Sequence, residues 1–143
     1  MHHQANRLCM GQRRNGYGFL GRRDGDQGGV KHMMKELLSD GKVGEIMSLL
    51  SHVKEEIADA KKYAMLACKY KADAPSMCAT FGKLANEELG HADTIQAMAA
   101  DKLATYERNG AEVPEKLGVI WDYEKDQMMD EIACVRAILS SCR

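Results

Sequence analysis

Apolar residues recur every three or four positions along three long stretches of the chain. Such spacing places them on one face of a helix and predicts three amphipathic α-helices. The predicted helices cover about 43–71, 75–108 and 115–141, with a shorter helix at 32–39 before them. Two prolines in 143 residues leave room for helices of this length. We therefore predict one all-α domain at 32–143, a long antiparallel helical hairpin plus a third long helix.

The breaks between the predicted helices indicate how they pack. Pro75 suits the first turn of the second helix, and Asn109-Gly110 is a typical end for it. The break at 71–76 is short, so the first two helices should pack antiparallel. At 1.5 Å per residue the second helix is about 50 Å long, which indicates an extended hairpin or an oligomer.

Two carboxylates and one imidazole interrupt the apolar faces of the hairpin. Glu56 lies on the apolar stripe of the first helix, and Glu88 and His91 share that of the second, whereas Glu87 falls on the polar face. Burying such groups is costly unless each finds a partner. A metal ion satisfies both kinds of group, and a hydrogen-bonded pair without metal is the simpler alternative.

Two residues of the first helix are further candidates. Tyr63 lies two turns after Glu56 on the same face. We predict that its hydroxyl bonds a ligand or bound oxygen at a catalytic centre, or that the ring packs with a polar tip. His52 lies one turn before Glu56, and we assign it to the edge of the core.

The third helix adds Glu124 and Glu131, two turns apart on its apolar stripe. Glu131 is a candidate fourth metal ligand. The alternative for both is that a long side chain at the edge of the stripe extends into water, which we favour for Glu124. Cys134 follows Glu131 at a spacing that a thiolate ligand would suit, but a buried, inert cysteine is more common.

Glu56, Glu88 and His91 make up half of a known kind of metal centre. Dinuclear carboxylate sites in helical bundles use four carboxylates and two imidazoles. The sequence contains a single Glu-x-x-His pair, so a second copy on a twofold axis would supply the other half, or Glu131 would add to it. Carboxylates with few imidazoles suit Fe(II), Mn(II) or Zn(II).

Charge is distributed unevenly along the chain, although the net charge is −1. Residues 1–32 carry six Lys/Arg against two Asp, and the remainder carries 14 Lys/Arg against 19 Asp/Glu. We predict that 1–31, rich in Gly and Arg, is a disordered arm, or a non-native leader if translation begins at Met33 or Met34. The overall balance argues against nucleic acid as a partner, although a basic arm can contact phosphates.

The five cysteines are odd in number and include no Cys-x-x-Cys. This pattern is typical of reduced intracellular thiols rather than of a secreted disulfide framework. No apolar run approaches the roughly 18 residues of a membrane span. The N-terminus lacks the apolar segment of a signal peptide. We therefore expect a cytoplasmic protein that does not enter a membrane.

The arrangement of these residues resembles a known family over about residues 45–105. The motif comprises Glu56, Tyr63 and then Phe81-x₃-Ala85-x₂-Glu88-x₂-His91-Ala92. It is similar to the first two helices of rubrerythrin and ferritin-like proteins, to the half-ferritins of encapsulated ferritins, and to small ferritin-like proteins of phage and prophage. The resemblance implies a ferritin-like bundle that binds two irons through Glu56, Glu88 and His91, between two chains in the half-ferritins. Rubrerythrin's second Glu-x-x-His and its rubredoxin-like cysteines have no counterpart here.

Three functional expectations follow. The leading one is a homo-oligomeric, ferritin-like dinuclear metal protein that oxidises Fe(II) or reduces peroxide. The second is a helical structural or interaction protein of the same fold, in which Glu56, Glu88 and His91 form a hydrogen-bonded network without catalysis. The third makes 1–31 an arm that binds nucleic acid.

Overall fold

The computed structural model describes residues 41–110 and 115–143. These residues form three α-helices and no strand: α1 (Gly41–Tyr70), α2 (Pro75–Arg108) and α3 (Glu115–Ser141). The all-α prediction is confirmed, and the predicted bounds of α2 and α3 agree with the structure. α1 begins at Gly41 rather than at Val43. The predicted helix at 32–39 and the arm at 1–31 lie outside the described residues.

Both ends of α2 follow from local signals. Pro75 occupies the first turn, where its missing N–H would have no partner within the helix. After Arg108, Gly110 adopts a φ of +72°, and its N–H donates to the carbonyl of Glu107 at 3.1 Å. This left-handed conformation favours glycine, which explains why the helix ends here.

α1 and α2 form the predicted antiparallel hairpin. Near the turn, Tyr70 and Tyr63 of α1 both stack on Phe81 of α2, with ring centroids 5.8 and 6.1 Å apart. At the far end, Lys102 of α2 donates to the Glu45 carboxylate at 2.7 Å. Late residues of α1 thus meet early residues of α2, and early residues of α1 meet late ones.

α3 packs on α1 in the parallel direction. Two ion pairs connect them, Lys54 with Glu124 and Lys61 with Glu131, the second at 3.1 Å. Beyond these pairs, Lys71 donates to the carbonyl of Ser141 at 3.0 Å. The sequence separation is the same at all three contacts, as it must be for two parallel helices in fixed register.

Small residues line the contact between α1 and α2. Six alanines of this hairpin are fully buried or nearly so: Ala60, Ala64, Ala67, Ala85, Ala92 and Ala99. Larger side chains fill the core where α3 joins, among them Ile46, Leu50, Leu117, Val135 and Ile138. α2 adds only Leu89 to the large buried side chains, so much of its apolar surface stays partly exposed.

The prediction that the cysteines are reduced thiols is wrong for Cys68, Cys134 and Cys142, all of which are disulfide-bonded. Cys68 and Cys142 pair with each other, with their Cα atoms 5.0 Å apart. Their pairing depends on the parallel register of α1 and α3, which joins residues separated by 74 positions. Cysteine spacing along the sequence does not reveal such a contact. Cys78 is a half-buried free thiol.

Within the described ranges, none of the helices combines the length and the apolar character that crossing a bilayer requires.

Candidate metal site

Glu56, Glu88 and His91 come together where α1 contacts α2. The Nδ1 atom of His91 lies 2.9 Å from a carboxylate oxygen of Glu88 and 3.7 Å from one of Glu56. One ligand atom from each residue lies within 4.8 Å of the other two. Glu88 and His91 are neighbours because they lie one helical turn apart, and the antiparallel packing brings Glu56 opposite them.

The three residues lie at the edge of the hairpin rather than deep in the core. Their side chains are 20% exposed for Glu88, 29% for Glu56 and 61% for His91. The buried arc of α1 faces the alanines of α2 and the apolar side of α3, and Glu56 lies at its margin. A ligand or a second molecule can therefore reach the group from the solvent side.

The donor set fits a divalent transition metal. Carboxylate and imidazole donors bind Zn(II) at about 2.0–2.2 Å, and Fe(II) and Mn(II) take the same kinds of donor. Two such donors on one ion lie roughly 3 Å apart. The separations of 2.9 and 3.7 Å are of that size. Three donors are fewer than these ions take, so water or another chain must supply the rest.

Without a cation, the environment of the group favours the protonated forms of Glu56 and His91. The pKa of Glu56 is raised from its ordinary value, first by a hydrogen bond with Glu88, then by burial and by the Glu88 negative charge. The pKa of His91 is also raised, chiefly by its hydrogen bond to Glu88. Two carboxylates this close repel each other unless a positive charge lies with them. A metal ion supplies that charge.

Tyr63 flanks the group without joining it. Two helical turns separate it from Glu56, about 10 Å along the axis of α1. Its half-buried ring stacks on Phe81. The structure therefore gives the ring a packing role, and a catalytic role for the hydroxyl stays a prediction.

Glu131 lies apart from the three residues. It pairs with Lys61 and is 55% exposed. Lys61 lies five residues after Glu56, which is about 140° around the axis of α1. The structure thus places Glu131 on another side of α1 from the group. Its role as a fourth ligand stays a prediction, which a metal titration of Glu131→Gln tests.

The prediction for the Glu124 side chain is wrong. We expected its side chain to extend into water, but it is buried, with 7% of the residue exposed, and paired with Lys54. A lysine of the neighbouring helix reaches the carboxylate and neutralises it. Sequence reasoning missed both lysines of this interface because each looks like an ordinary residue of a polar helix face. The two ion pairs line a groove of about 540 Å³ between α1 and α3.

The remaining candidates lie outside the group. His52 is exposed and interacts with the carboxylate of Glu55 at 3.2 Å, so it lies at the surface rather than at the site. Cys134 is half-buried against the core on α3. Neither belongs to the three-residue group.

The chain matches no protein-family model, no curated protein and no solved structure.

Proposed function

We propose that the chain binds a divalent transition metal through Glu56, Glu88 and His91, as one half of a ferritin-like dinuclear centre. The observation that carries the proposal is the convergence of three ligand-type side chains from two helices, whose ligand atoms lie within 4.8 Å of one another. Iron is the metal we propose first, with Mn(II) or Zn(II) as the other ions that this donor chemistry suits.

The number of ligands supports a second copy of the chain at the site. A dinuclear carboxylate centre in a helical bundle uses four carboxylates and two imidazoles. Glu56, Glu88 and His91 provide two carboxylates and one imidazole. A twofold axis on the open side of the hairpin doubles this set and turns two hairpins into a four-helix bundle.

The surface around the group supports the same arrangement. Along α2 the row that contains Glu88 and His91 continues through partly exposed apolar residues: Phe81, Leu84, Ile95 and Met98. Leu49 and Tyr63 continue the row of Glu56 on α1. Burying such residues against a second hairpin stabilises by roughly 25 cal/mol for each Å² of apolar surface.

The chemistry that follows is oxidation of Fe(II). Glu56, Glu88 and His91 of two chains would hold a pair of Fe(II) ions, which would supply two electrons for the reduction of peroxide or O₂. The chain's own residues bind the ions and move protons: the ligands must lose their protons as metal binds. Any proton that Glu56 or His91 carries is then released to solvent.

A second candidate function is a helical structural or interaction protein without metal. It is favoured by the hydrogen bond between His91 and Glu88 at 2.9 Å, which satisfies both side chains internally. In that case the surface that contains Glu56, Glu88 and His91 is simply part of a protein-binding face.

A metal-dependent melting experiment separates the two functions. A ligand that binds only the folded state stabilises by about 2.7 kcal/mol at a hundredfold excess over its Kd. We expect Fe(II) under anaerobic conditions, or Mn(II) or Zn(II), to raise the melting temperature of the wild type and of His52→Ala, but not of His91→Ala. His52 is a matched control because it also interacts with a glutamate three residues away. Equal shifts in both variants would exclude the site, and no shift in the wild type would favour the second candidate.

A further inference from the structure

The disulfide between Cys68 and Cys142 joins the ends of α1 and α3. Its Cα separation of 5.0 Å lies within the usual range for disulfides, about 4.4–6.8 Å. The closed loop spans 74 positions and includes all of α2 and α3. Cys142 directly follows Ser141, the last residue of α3.

The disulfide holds the last turn of α3, in which Leu139 and Cys142 are only partly buried against the core. Upstream, α3 is anchored by buried apolar residues as far as Ile138. Beyond that residue, Lys71 donates to the carbonyls of Ser141 and Arg143 at 3.0 and 3.1 Å. These hydrogen bonds are exposed, so the covalent bond is the strongest restraint on the end of α3.

The position of the disulfide favours exchange with an external thiol. Cys68 and Cys142 are both half-buried. The Lys71 ammonium group donates exposed hydrogen bonds to the carbonyls on either side of Cys142.

We propose that Cys68–Cys142 is a reversible redox clamp, opened by a dithiol, that fixes the last turn of α3 on α1. A thiolate of the dithiol attacks one sulfur, the S–S bond breaks, and a mixed disulfide forms. The second thiol of the reagent then displaces the chain's thiol. Two electrons and two protons pass to Cys68 and Cys142, and the dithiol is oxidised to a disulfide.

The clamp is independent of the proposed metal site. Cys68 lies twelve residues after Glu56, about 18 Å along α1. The clamp connects α1 with α3, whereas Glu88 and His91 belong to α2. Opening the disulfide should therefore leave metal binding unchanged, and failure of either proposal does not affect the other.

The test uses the full chain, air-oxidised or treated with dithiothreitol. Peptide mapping by mass spectrometry should find the Cys68–Cys142 link in the oxidised protein, and hydrogen exchange should then compare the two states. We expect reduction to speed exchange about tenfold at the amides after Ile138 and to leave α1 and α2 protected. The melting temperature should fall by on the order of 10 °C.

Three variants separate this disulfide from other effects of the reductant, which also opens the disulfide that Cys134 forms. Oxidised Cys142→Ser should match the reduced wild type after Ile138 and should not change there on reduction. Cys134→Ser and Cys78→Ser should both behave as the wild type after Ile138. Should Cys142→Ser not fold, Cys68→Ser replaces it. Absence of the link in folded protein, or equal exchange in both states, would overturn the proposal. It would also be overturned if reduction occurred only when α1 and α2 lost protection as well.

Discussion

Glu56 of α1 and His91 of α2 face each other across the hairpin, with 3.7 Å between carboxylate Oε2 and imidazole Nδ1. This contact distinguishes the Glu88–His91 pair from the pair of His52 and Glu55. Both pairs have the same spacing within a helix, but no third ligand-type residue groups with the second pair in the described part of the chain. Because the Glu56 carboxylate faces the Glu88–His91 pair, the site contains three potential metal donors instead of two.

Glu88→Gln tests the group with little change in shape. The substitution removes the negative charge of Glu88. That charge accepts the hydrogen bond of His91, and it is also what raises the pKa of Glu56. We expect metal affinity, measured by anaerobic Fe(II) titration, to fall at least about tenfold while helicity stays the same. Glu87→Gln is the control because Glu87 lies on the exposed face beside Lys83. Wild-type affinity in Glu88→Gln would show that the site is misassigned.

The stability of the metal-free chain should decrease as pH rises. Folding raises the pKa of Glu56 above 4.5 and that of His91 above 6.5. Each group binds its proton more tightly in the folded state, so its contribution is full below the unfolded pKa and is lost as pH passes the folded pKa. The pH range over which this stability is lost therefore begins at 4.5 and extends above 6.5.

Urea unfolding in the presence of a chelator, at a series of pH values across that window, measures this effect. Glu88→Gln should flatten the dependence because Glu88 is the main cause of both shifts. NMR titration of His91 gives a direct check, since its pKa should be lower in the variant. An unchanged pKa of His91 would contradict the assigned hydrogen bond.

Lys54 and Lys61 should differ in their effect on stability. Lys54→Met leaves the buried Glu124 carboxylate without its partner, and we expect a loss of about 1–3 kcal/mol in the free energy of unfolding. Lys61→Met should cost less than about 1 kcal/mol, because Glu131 stays in contact with water. Methionine preserves most of the packing of the lysine stem. Denaturant unfolding of both variants is the measurement, and equal losses would contradict the difference in burial.

The close approach of α1 and α2 depends on alanine. The alanine positions in this contact leave no room for a larger side chain, and Ala99 is fully buried there. Ala99→Leu should therefore lower stability by about 1–3 kcal/mol through overpacking. Ala100→Leu, at the next and exposed position, should change it by less than about 0.5 kcal/mol. Thermal unfolding measures the stability of both variants. If Ala99→Leu were as stable as the wild type, the two helices would be packed less closely than the structure shows.

Local signals made much of the fold predictable. Pro75 and the Asn109-Gly110 pair define the ends of α2 through backbone preferences that act within a few residues. The grouping of Glu56 with Glu88 and His91 could also be predicted from the sequence, because a short turn implies an antiparallel hairpin. In both cases the relevant contacts follow from helical period and a single connection.

Contacts between α1 and α3 were not predictable in the same way. The burial of Glu124 depends on Lys54, and the Cys68–Cys142 disulfide depends on the same parallel register. That register is set by side-chain packing of the whole interface after a long connection through α2. Neither residue spacing nor charge pattern within one helix contains this information.

The most direct test of the account is the metal-to-chain stoichiometry, measured by anaerobic Fe(II) titration with the mass of the oligomer recorded in the same buffer. We predict one tightly bound iron per chain in an even-numbered oligomer, since each chain supplies Glu56, Glu88 and His91 to a shared pair of ions. Two irons bound by a monomer, or no binding at all, would contradict it.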